Sequence, residues 1–133
     1  MIYALDSNIV SYILKDDAKV IALYRKALSE GDDIVIPPIV FYEVQRGLLA
    51  ANLSKRLTKF DVFCRKTRQP GFHPSVWRKA SQIYATLYRQ RNLIDDADIF
   101  IAAYCLVNDF TLVTNNTRHF DRIDGLRLVN WKN

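Results

Sequence analysis

Residues 2–8 read Ile2-Tyr-Ala-Leu-Asp-Ser-Asn8. The first four are apolar without polar alternation, which predicts a short strand buried on both faces. Asp6, Ser7 and Asn8 are cap-type residues; they end the strand and open a helix that continues from Ile9 to Leu14. The pattern recurs. Asp33-Ile-Val-Ile36 is a second buried strand, and Pro37-Pro38 leads into a helix over 39–51. Phe110-Thr-Leu-Val-Thr114 is a third strand and Leu126-Arg-Leu-Val129 a last one. Helical spacing marks 17–29, closed by Gly31, then a basic amphipathic helix over 53–66 and a long helix over 75–91. A further helix runs from the acids near 95 to Val107, and 67–74 is irregular with room for a short edge strand.

Fully apolar strands alternating with helices predict an α/β fold, a three-layer α/β/α domain around a central, mostly parallel sheet of four to five short strands. In such sheets sites lie beyond the carboxyl ends of the strands. Asp6 follows the first strand directly, and Thr114-Asn115-Asn116 ends and follows the 110–114 strand. Both therefore belong to one edge of the sheet.

The 133 residues fit one domain, 1–133, and a hydrophobic share of 50% is enough for a core without staples. No run reaches the roughly 18 apolar residues of a membrane span. Met1–Asp6 has no basic region ahead of its apolar residues, so a signal peptide is not expected and the expected location is cytoplasmic. Cys64 and Cys105 lie far apart among apolar neighbours and read as buried thiols rather than a zinc site or a disulfide. The net charge of +5 comes largely from Lys55, Arg56, Lys59, Arg65 and Lys66, and from the 75–91 helix. On helices such residues are usually a solvated face, but a basic shell around an acidic centre also suits an enzyme acting on a polyanion.

The acids are the informative residues. Residues 93–103, "LIDDADIFIAA", set Asp95, Asp96 and Asp98 against an apolar run. Asp95 is the expected cap of the helix that follows, and further carboxylates gain only fractions of a kcal/mol from its dipole while repelling each other. Asp6 alone reads as an N-cap, and Glu43 sits past the first turn of its helix, where the dipole no longer favours it. Together, Asp6, Glu43 and Asp98 can converge at the carboxyl edge of the sheet. Clustered carboxylates raise one another's pKa unless a cation neutralises them, and a hard divalent ion does so with oxygen ligands. The only histidines, His73 and His119, have no obvious nucleophile neighbours, and no P-loop is present.

Asp6-Ser7-Asn8 after a strand, Glu43-Val-Gln-Arg-Gly47, Asp98-Ile-Phe-Ile-Ala-Ala103 and Leu112-Val-Thr-Asn-Asn-Thr-Arg-His-Phe120 resemble, in order and at ordinary spacing, the PIN domain, specifically VapC-type toxins. The resemblance implies a metal-dependent endoribonuclease, the toxin of a type II toxin–antitoxin pair. It implies Mg²⁺ or Mn²⁺, a homodimer, and a VapB-like antitoxin that blocks the acidic site and carries the DNA contact. Carried over by position, Asp6, Glu43 and Asp98 match the core acids, with Asp6 and Asp98 as metal ligands and Glu43 beside them. Ser7, Asn8, Thr114 and Asn116 would support them, and Arg46, Lys55, Arg56 and Lys59 would track RNA.

The sequence departs from the family at a fourth acid. PIN domains often carry an aspartate where Asn116 stands, or an acid where His119 stands. Asp95, Asp96 or Asp121 could supply the charge, and Asp95, one turn before Asp98, is the favoured one. A rival reading, a non-catalytic RNA- or protein-binding domain with a decayed site, rests on this departure alone.

Overall fold

The computed structural model describes residues Met1–Asn133. Four strands, β1 (Ile2–Leu5), β2 (Asp33–Val35), β3 (Thr111–Val113) and β4 (Leu128–Val129), form one sheet in the order β2-β1-β3-β4. Every pairing is parallel: Tyr3 faces Ile34 on one side and Thr111 on the other, and Val113 faces Val129. The expected edge strand in 67–74 is reduced to one bridge, Val35 to Arg68, with Ile36 N donating to Arg68 O at 2.9 Å. Pro70, which has no N–H, follows two residues later and cannot extend a ladder.

Seven helices surround the sheet: α1 (Ser7–Leu14), α2 (Ala18–Ser29), α3 (Pro38–Ala50), α4 (Ser54–Arg65), α5 (Pro74–Arg89), α6 (Asp96–Asn108) and α7 (Thr117–Phe120). The last was not expected. Four residues are too few to show helical periodicity in sequence. Gly31 ends α2 at φ +83°, a left-handed conformation that favours glycine. No helix is long and apolar enough to cross a membrane.

The central helix is α6. Ile99 and the whole run Ile101–Cys105 are buried. Ala102 and Ala103 are fully buried, and their small side chains suit close packing against the rest of the core. Tyr104, also fully buried, donates its hydroxyl to Pro70 O at 3.0 Å and meets Phe72 and Phe110 edge-on. A helix apolar on all sides is stable only when enclosed, with about 1.5–3 kcal/mol from each large buried side chain. That enclosure fixes the first turn of α6, and with it Asp98. Cys64 and Cys105 are buried free thiols, as expected.

Candidate active site

Asp6 sits where β1 becomes α1, and it is only 5% exposed. Its backbone N–H donates to Val113 O at 2.9 Å, which ties it to the end of β3. Its side chain has two tasks. Oδ1 caps α1 by accepting from Ser7 N at 2.8 Å, as the simple structural reading expected. Oδ2 accepts from the Thr114 hydroxyl at 2.7 Å and the Asn8 amide at 3.4 Å. Thr114 is itself held, since its Oγ1 accepts from Asn116 N at 2.9 Å. Asn8 Oδ1 accepts from Asn115 N at 3.1 Å, which binds the ends of β1 and β3 together a second time.

Burial pushes the Asp6 carboxyl up to about 6; hydrogen bonds from Thr114 and Ser7 oppose this, and the charges of Asp98 and Glu43 add to it. The three acids therefore share one electrostatic site. Glu43, half-buried in the second turn of α3, accepts from the Ser7 hydroxyl at 2.7 Å. Ser7 thus serves both acids, through its N–H to Asp6 and its O–H to Glu43. Asp98, in the first turn of α6, has a side chain 16% exposed, and its Oδ2 lies 3.0 Å from His119 Nδ1. Asn116 Nδ2 is 2.8 Å from the same ring nitrogen. Ser7, Asn8, Thr114 and Asn116 are all in contact with the site.

Sequence reasoning missed His119. It lies on α7, whose short turn brings the imidazole to Asp98, and the departure from the resemblance at this position was the available signal. Asp95 occupies the N-cap position of α6, but its side chain makes no cap hydrogen bond and is exposed, as is Asp96. The expected capping role of Asp95 is corrected: its backbone carbonyl, accepting from Ile99 N at 3.1 Å, begins the helix instead. The basic residues divide. Lys59 is engaged structurally, donating to Leu14 O at 3.0 Å and Asp16 Oδ1 at 2.7 Å, so its reading as an RNA contact is weakened. Arg46 lies over the Tyr42 ring, 5.0 Å from its centroid, and Lys55 is exposed. Arg56 borders a groove of about 380 Å³ beside the acids, whose walls include Ser7, Glu43, Leu14, Val44 and Leu48.

No three or more aspartate, glutamate, histidine or cysteine side chains close into a ligand cage. Asp6, Glu43 and Asp98 offer a few hard carboxylate oxygens, a donor set that suits an ion keeping several waters, as Mg²⁺ does. A carboxyl lifted by burial, with like charges adding to the lift, is also what a divalent cation would relieve.

A PIN domain family model matches residues 3–126. The chain belongs to the PIN-domain family. Among relatives of this PIN domain, ribonuclease VapC2 of Rickettsia felis is 29% identical over 132 residues, covering 98% of each chain. Ribonuclease VapC1 of Haemophilus influenzae strain R2866 is 28% identical over 138 residues, again with 98% of each covered. The fold superposes on a chain of the crystal structure of VapBC2 from Rickettsia felis bound to a promoter DNA fragment, with TM-score 0.89, 28% identity, and 98% and 99% of the two chains covered. It likewise matches VapBC-1 from nontypeable Haemophilus influenzae, with TM-score 0.88, 26% identity and 100% of both chains.

Proposed function

We propose that this PIN domain, acting as one unit over 1–133, is a metal-dependent endoribonuclease and the toxin of a VapBC-type pair. The observation that carries the reading is Asp6: a buried carboxyl pushed to about 6, with Asp98 and Glu43 adding their charge to it. Structural ion pairs lower carboxyl pKa values, whereas a carboxyl raised by burial with further carboxylates beside it suits a site that receives a cation. Near full-length similarity to VapC ribonucleases supports the substrate class.

Asp6 and Asp98 would hold Mg²⁺ or Mn²⁺, with Glu43 within reach and Asp95 adding negative charge at the rim. The bound ion would lower the pKa of a water and shield charge developing on the phosphate. Glu43, fixed by Ser7, orients the attacking water and accepts its proton. Thr114 and Asn8 keep the Asp6 Oδ2 lone pairs directed, and Asn116 fixes the Thr114 hydroxyl. In-line attack then leaves a 5′-phosphate and a 3′-hydroxyl. Arg56, Lys55 and Arg46 attract the RNA backbone and give binding a salt dependence.

Similarity to chains of VapBC complexes supports a VapB-like antitoxin as partner, with DNA reached through that partner. An inhibitory segment of that partner seated in the groove beside Glu43 would lie next to the acids. A homodimer in the cytoplasm completes the reading. Asp98→Asn should abolish cleavage of RNA by the purified protein and growth arrest on expression, with an unchanged circular dichroism spectrum. A folded Asp98→Asn protein that still cuts RNA refutes the assignment. A wild-type protein that binds RNA without cutting it, in Mg²⁺ or Mn²⁺, favours the non-catalytic reading.

A further inference from the structure

Asn115 stands between Thr114 and Asn116, the two residues that hold Asp6 from the end of β3, yet it has no part in the proposed reaction. Its side chain reaches the last residues of the chain. Asn115 Oδ1 accepts from Asn130 Nδ2 at 3.3 Å, and Asn115 Nδ2 donates to the Tyr12 hydroxyl at 3.3 Å. Its backbone N–H donates to Asn8 Oδ1 at 3.1 Å. That last bond decides which way the Asn8 amide faces. With Oδ1 taken by Asn115, Nδ2 is the atom left for Asp6 Oδ2.

Both partners of the Asn115 side chain are themselves held by the C-terminal tail. Asn130 Oδ1 accepts from Lys132 N at 2.8 Å and from Asn133 N at 3.2 Å, which curls 130–133 into a turn and leaves Asn130 Nδ2 for Asn115. Lys132 Nζ lies 4.7 Å from the centroid of the Tyr12 ring and donates to Asp17 Oδ2, so it ties the tail to α1 and to the cap of α2. Trp131, buried, meets Tyr3 of β1 edge-on. The sheet does not require these side-chain contacts, because the backbone already joins β4 to the end of β3 through Thr114 N and Val129 O at 2.9 Å. They converge instead on the turn that orders Asp6.

We propose that Asn115, clamped by Asn130 and Lys132 of the C-terminal tail, is a positioning residue for RNA cleavage. It fixes the Thr114–Asn116 turn and the Asn8 amide, and through them the Asp6 carboxylate. The inference rests on the nuclease reading and deepens it. Asp6 Oδ2 is directed by the Thr114 hydroxyl and the Asn8 amide, and both depend on where Asn115 sits. A carboxylate with loosened partners occupies the reactive geometry less often, which lowers turnover and leaves RNA binding alone.

The test compares full-length proteins. Asn130→Asp keeps the acceptor for Lys132 N and Asn133 N but turns an oxygen toward Asn115 Oδ1. Tyr12→Phe removes only the hydroxyl. Arg127→Met breaks the exposed pair with Asp109 just before β4 and controls for general loosening of this end of the chain. Asn130→Asp should lower kcat for RNA cleavage by about tenfold, the lower end for loss of a supporting partner, with KM unchanged. Tyr12→Phe should lower it by about threefold, the low end for one hydrogen bond, and Arg127→Met should leave it unchanged. In ¹H–¹⁵N spectra the Asn8 side-chain NH₂ signals should shift in the first two variants and stay in place in the third. An unchanged kcat in Asn130→Asp, a loss that only tracks the unfolded fraction, or Asn8 signals that do not move overturns the inference. A wild type that cuts no RNA overturns the nuclease reading instead, and the Asn8 signals still decide whether the tail positions the turn.

Discussion

Replacing Asp6 with Asn removes a charge from a buried site while keeping the side chain's shape. Oδ1 can still cap α1 through Ser7 N, and the Thr114 hydroxyl can rotate to accept from the new amide. The change in stability follows from linkage. The carboxyl is raised from 3.8 to about 6 in the folded protein, so between those values the folded state holds a proton that the unfolded chain has released. Stability of the wild type is therefore highest, as far as this group is concerned, below pH 4. It falls as pH rises to 6 and stays low above that. A shift of about two units corresponds to about 3 kcal/mol at neutral pH. Asp6→Asn lacks this loss. In EDTA, urea unfolding should show the two proteins nearly equal near pH 4 and the variant more stable by about 2–3 kcal/mol at pH 7.5. Added Mn²⁺ should then stabilise the wild type and not the variant, because only the wild type gains a ligand in its folded state. An Asn variant that is less stable than wild type at pH 7.5, or a difference that does not change between pH 4 and 7, refutes the reasoning that the Asp6 charge is held against its own preference.

Ser7→Ala frees Glu43 while leaving the Ser7 N–H on Asp6; RNA cleavage should fall by about tenfold, in line with one hydrogen bond of about 1–1.5 kcal/mol, with the melting temperature nearly unchanged. Thr114→Val keeps the shape but leaves Asn116 N without its acceptor and Asp6 Oδ2 with only the longer Asn8 contact, and urea unfolding at pH 7.5 should show a loss of about 1–3 kcal/mol. Lys59→Met and Arg56→Met should separate structure from binding. The first should lower stability by less than about 1 kcal/mol, as for other exposed ion pairs, and leave RNA affinity unchanged; the second should weaken RNA binding and reduce its salt slope by about one.

The α/β/α layering was legible because β1, β2 and β3 are short apolar runs separated by helices of clear period. Asp6 and Thr114 were placed at one edge by the strand-end rule alone, and their 2.7 Å hydrogen bond follows from that placement. Glu43 and Asp98 came from motif spacing on helices long enough to read. Three things were not legible. The four residues of α7 carry no periodic signal, so the approach of His119 to Asp98 was hidden. Asp95 has the right residue type and position for a cap, but whether its carboxylate turns inward depends on side-chain torsions. Lys59 looks like any basic residue on a solvated helix face, because the carbonyl it satisfies, Leu14 O, is 45 residues away.

The link between Asp6 and Thr114 spans 108 residues. The first ligand of the proposed centre is thus near the start of the chain, and the strand that completes its surroundings is near the end. Pairings this distant in sequence form late, since the chain must close a long loop before they stabilise anything. A ribosome making this protein would hold an inert polypeptide until β3 had emerged and docked beside β1. Any product truncated before residue 111 would lack the strand that orders Asp6. For a chain proposed to attack RNA, the topology itself delays the hazard until synthesis is nearly complete, which gives a partner made alongside it time to be present first.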